Sequence, residues 1–129
     1  MTPTRVETIP AIGRAEAEVL ASTEYVRLVE QLRSLGDDDW GKPTDCPLWD
    51  VRAIAGHSIG MMSDFTSLRS VLRRMRAASK AAKQAGGALI DAMTALQVAE
   101  HAAMTPAQLI ARAAQNGPTS SRWRARPHT

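Results

Sequence analysis

From Arg14 onward apolar residues recur at helical spacing: Val19, Leu20, Leu28, Leu32 and Leu35, with Gly36 ending the run. This predicts a first helix from Arg14 to Leu35, with Glu16 and Glu18 close to its positive N-terminal end. A second run steps by three and four through Val51, Ile54, Ser58, Met61, Phe65, Leu68, Leu72 and Met75. It predicts one long continuous helix, opened by Asp50 as N-cap and broken at Gly86-Gly87. A third helix is expected from Ala88 to Ala102, with Leu89, Met93 and Leu96 inward. Thr105-Pro106-Ala107-Gln108 then combines an N-cap, a proline at the first helical position and a capping-box glutamine. Asn116-Gly117-Pro118 reads as the stop of that fourth helix. No strand or hairpin pattern intervenes, so the class is all-α. The organisation expected is a loose leader over 1–13, a helical bundle domain over 14–117 and a basic disordered tail over 118–129.

Composition thins the core this pattern would bury. Hydrophobic residues make up 44 % of the chain, yet alanine is the most abundant of them. Leu, Ile, Val and Phe together are only roughly a fifth, near the lower limit for a packed core. Alanine favours helix and buries little area. A thin-cored helical domain that leans on a partner surface is the expectation. At 129 residues a single domain fits. No apolar run approaches the roughly 18 residues of a membrane span, and the N-terminus has no signal-peptide h-region. One cysteine, Cys46, excludes an internal disulfide and suits a reducing cytoplasm.

Chemistry concentrates between Asp37 and Gly60, where Trp40, Pro43, Cys46, Pro47 and Trp49 form a loop opening onto a helix that carries His57. His57 lies beside the apolar seam and projects toward the bundle interior, as a metal ligand, a general base or a hydrogen-bonded core residue. One histidine does not make a metal site, and no HxxxH, HExxH or ExxxH spacing occurs. Asp64 is two turns away, roughly 10 Å along the axis, too far to share an ion directly. Glu100-His101 reads as a solvated surface pair. Cys46 precedes a helix and so has a route to thiolate chemistry, but packing between the tryptophans is the favoured reading. Arg69, Arg73, Arg76, Lys80 and Lys83 form a basic stripe with no acid between Asp64 and Asp91. Without neighbouring aromatics it reads as a solvated face rather than a nucleic-acid site. His128 lies in the tail and carries no weight.

The string Trp40-x-x-Pro43-Thr44-x-Cys46-Pro47-x-Trp49-x-Val51-Arg52, followed by His57-x-x-Gly60, resembles the N-terminal signature of the mycothiol-dependent maleylpyruvate isomerase family. That family is part of the DinB-like superfamily of metal-binding four-helix bundles. The resemblance implies that His57 is a ligand of a divalent metal, usually zinc. The metal would activate the thiol of mycothiol for isomerase or transferase chemistry on a small-molecule substrate. It also implies an acidic residue and a histidine, four apart on a later helix, as the remaining ligands. No Asp/Glu-x-x-x-His occurs here, so an up-and-down bundle without its last ligand helix is expected. Such a bundle would leave the long apolar seam uncovered, and a homodimer would cover it. The alternative function is a non-enzymatic helical interaction module that dimerises through that seam.

Overall fold

Asp50 opens the helix around which the others are arranged: its Oδ1 accepts the Ala53 N–H at 2.8 Å, satisfying one of the free donors of the first turn. In the computed structural model, which describes residues 3–127, five α-helices follow in order. They are α1 (Arg14–Ser34), α2 (Val51–Asp64), α3 (Leu68–Ala85), α4 (Leu89–His101) and α5 (Pro106–Arg124). Short 3-10 turns occupy Val6–Thr8 and Asp37–Asp39, and among the described residues there is no strand. The chain is all-α, as its periodicity predicts. α2 is central, packed on α4 and α5; α1 packs on α5, and α3 on α4.

The core lies where α1, α2 and α5 meet: Val29, Leu32, Trp40, Ala55, Ile59, Met62, Leu109 and Ala113 are buried together. Burying side chains such as Ile59, Met62 and Leu109 stabilises by about 1.5–3 kcal/mol each. The buried stripe of α2 is one position round from the expected seam: Ala55, Ile59 and Met62 are inside, while Val51, Ile54, Ser58 and Met61 are half-buried.

The expected single long helix is two helices. α2 stops at Asp64 because hydroxyls compete for the backbone: Ser63 donates to the Ile59 carbonyl and Thr66 to the Ser63 carbonyl. Ser67 then caps α3, accepting the Ser70 N–H at 3.1 Å. Beyond this break Leu68, Leu72 and Met75 point outward, 64 %, 44 % and 39 % exposed.

The expected disordered tail from residue 118 is also corrected. α5 runs through Pro118 to Arg124, because its far half is packed rather than free. Gly117, Ser120 and Ser121 are buried against α1, and the Ser121 hydroxyl is 2.8 Å from that of Ser22. Trp123 packs on Phe65 at 6.0 Å between ring centroids, and the Arg124 guanidinium covers the same ring at 4.5 Å. These contacts outweigh the helix-breaking tendency of Asn116-Gly117-Pro118. Besides the Asp50 cap, two boundary readings agree with the structure. Thr105 and Gln108 form the capping box, with bonds of 3.2 and 2.9 Å, and Gly86 ends α3 at φ 70°.

Candidate functional site

The loop before α2 is pinned from both ends. Trp40 is buried in the core, and its carbonyl accepts the Arg52 N–H at 2.9 Å. Pro43 bridges to Asp50, and the Thr44 hydroxyl donates to the Trp49 carbonyl at 2.7 Å. Arg52 reaches across to the Met104 carbonyl, tying the start of α2 to the turn before α5. This clamping aims Trp49 at the His57 ring, 5.6 Å away between centroids. The loop is therefore scaffold, with one exception: Cys46 is exposed, not packed between the tryptophans. The loop turns outward at residues 45–48 while the tryptophans on either side turn in, which carries the thiol away from them.

His57 is half-buried on α2, and its Nδ1 is 2.8 Å from Gln97 Oε1 on α4. Gln97 is fully buried. Its Nε2 donates to Asp64 Oδ2 at 2.7 Å and to the Met61 sulfur at 3.3 Å. Asp64 Oδ2 also accepts from Arg74 Nε at 2.8 Å, and Arg74 reaches onward with both terminal nitrogens to Glu100. A continuous polar relay thus runs Glu100–Arg74–Asp64–Gln97–His57 across α4, α3, α2, α4 and α2. Burial works against the Arg74 charge, but the hydrogen bonds and attraction of Glu100 and Asp64 outweigh it and hold its pKa above the ordinary arginine value.

Two glycines admit this relay. A Cβ on Gly60 would stand 2.7 Å from Gln97 Cβ, and one on Gly56 3.1 Å from His101 Cβ. α2 therefore offers a small-residue groove, one turn long, to the Gln97-x-x-x-His101 face of α4. His101 is buried rather than part of a solvated pair with Glu100: Nδ1 donates to the Gln97 carbonyl at 2.7 Å, and Nε2 has no partner among the described residues. Glu100 points instead to Arg74, because neighbours on a helix diverge by about 100°.

Spacing puts His57 on the inward side of α2, where the structure has it, but does not point to Gln97, Arg74 or the buried state of His101. A neutral glutamine carries no local signal of function, and Arg74 differs from the stripe around it only in facing α4. The signal that could have found Gln97 is its i, i+4 spacing to His101. The basic stripe is exposed at Arg69, Arg73, Arg76, Lys80 and Lys83. His128 lies outside the described residues.

These features define a helical domain whose central helix presents one imidazole, oriented by a buried polar relay behind a clamped Trp-Pro loop. Residues 21–128 match the family described as the mycothiol maleylpyruvate isomerase N-terminal domain, and the chain belongs to that family, a DinB-like helical domain. Comparison with curated proteins and with solved structures gives no match.

Proposed function

We propose that this domain supplies His57 as one ligand of a divalent metal, zinc by family resemblance, in a mycothiol-linked isomerase or S-transferase site. One observation carries the reading: Nδ1 of His57 is held by Gln97 Oε1, which leaves Nε2 as the free nitrogen. Metal-ligating histidines are held this way, the second nitrogen bonded to an acceptor that orients the ring. The family match supports the link to mycothiol. A bound divalent metal supplies Lewis-acid activation of a thiol.

The residues fit one ligand of such a site and not the whole. Asp64 and Glu100 are both engaged by Arg74, and the nearest partner of His57 is a neutral carboxamide. Among the described residues no three His, Cys, Asp or Glu side chains gather in a metal-binding group. In this reading the remaining ligands are contributed from outside the described residues, and no catalytic step is assigned to this chain. The exposed single thiol of Cys46 supports a reducing, cytoplasmic setting. No helix among the described residues is long and apolar enough to cross a membrane.

Cobalt(II) titration followed by NMR tests the reading. Selective perturbation of the His57 ring, lost in His57→Ala, is the expected result. A wild-type response identical to that of His57→Ala would sink it.

The outward-facing Leu68, Leu72 and Met75 favour a second reading, a non-enzymatic helical module that self-associates through this face. Light scattering separates the two. A metal-free dimer dissolved by Leu72→Glu supports the module, and a monomer at all concentrations excludes it.

A further inference from the structure

We infer that Gln97 is a positioning residue that selects which nitrogen of His57 is free, and that Arg74 dictates the selection through Asp64. Arg74 can only donate, so Asp64 Oδ2, 2.8 Å from Arg74 Nε, is an acceptor. Gln97 places an amide atom 2.7 Å from that same oxygen. If that atom were Oε1, two acceptors would meet in a buried site. It is therefore Nε2, whose hydrogens are shared between Asp64 and the Met61 sulfur. The flipped amide would forfeit both bonds, so the amide orientation follows from the network.

Gln97 Oε1 then faces His57 Nδ1 and can only accept. Neutral His57 must carry its proton on Nδ1, with the lone pair on Nε2. Flipping the amide would reverse this, placing a donor at Nδ1 and moving the ring proton to Nε2. Arg74, beyond direct reach of the imidazole in this chain of contacts, thus decides its tautomer. His101 obeys the same logic, since its Nδ1 meets a backbone carbonyl, which only accepts. That Nε2 of His57 is the nitrogen used for ligation rests on the function proposed above; the tautomer does not.

Nitrogen-15 NMR of the imidazoles in the metal-free protein, at a pH where His57 is neutral, reads the inference directly. Wild type is expected to show His57 protonated on Nδ1. Gln97→Leu, which removes the acceptor, is expected to lose that assignment. Wild-type His57 protonated on Nε2 overturns the inference, and this measurement needs no variant to fold. A Gln97→Leu protein whose His57 shifts match wild type overturns it too. Because no metal is present, failure here is separate from failure of the cobalt titration.

Discussion

Gly60 on α2 is the space that Gln97 on α4 occupies: a Cβ at residue 60 would lie 2.7 Å from both Gln97 Cβ and Cγ, and 3.3 Å from its Cα. The close approach of the two helices and the orientation of the candidate imidazole share this one contact. Gly60→Ala is therefore expected to destabilise by about 1–3 kcal/mol, the range for overpacking a well-filled interior. Its second effect is to displace Gln97 from His57. Thermal unfolding measures the first, and the His57 NMR shifts the second.

Arg74 is buried with its charge divided between Asp64 and Glu100. Removing it leaves the Asp64 carboxylate buried, with Oδ1 already lacking a partner among the described residues. Arg74→Met is expected to lose about 3–5 kcal/mol, the usual result of breaking one side of a buried pair. Glu100→Gln, on the half-exposed partner, should lose far less. Urea unfolding of the two variants checks the order.

Pro118 sits in α5 without an N–H to give to the previous turn. Its side is exposed, so alanine there removes strain without opening a cavity. Pro118→Ala is expected to stabilise by about 1–3 kcal/mol and to raise helicity by circular dichroism. Gly117→Ala should do the opposite, since its Cβ would meet Tyr25 Cβ at 3.0 Å.

Asp39 steadies the start of the Trp-Pro loop. The Lys42 ammonium donates to it at 2.5 Å and the Gly36 N–H at 2.8 Å, and these bonds hold its carboxyl below the usual carboxylate range. A depressed folded-state pKa means that its contribution is complete above the ordinary carboxylate value and is lost as pH falls through the lowered one. Stability followed through Trp fluorescence should decline on this acid limb, and Asp39→Asn should flatten the decline by lowering stability at neutral pH while leaving it near wild type at the acid end.

Helix boundaries marked by a cap were the most legible part of the chain. Asp50, Thr105 with Gln108, and Gly86 act through their own backbone neighbourhood, so residue type and spacing suffice to place them. The long seam from Val51 to Met75 misled because periodicity reports a face and not continuity. A run of hydroxyls at Ser63, Thr66, Ser67 and Ser70 breaks the helix without breaking the period. His57 was legible as an inward imidazole within a recognisable signature, while its partner Gln97 was not, being neutral and forty residues away.

The sequence by itself determined an all-helical chain, the caps at Asp50 and Thr105, its family and the one histidine on the central helix. These follow from local hydrogen bonding and from apolar spacing within single segments. Only the tertiary structure decided that α5 outlasts Pro118, that Cys46 faces solvent while His101 does not, and that a chain of four side chains orients His57. Each of those depends on which surface another helix covers. A buried polar group takes whatever partner the packing brings within reach, and that partner can come from anywhere in the chain.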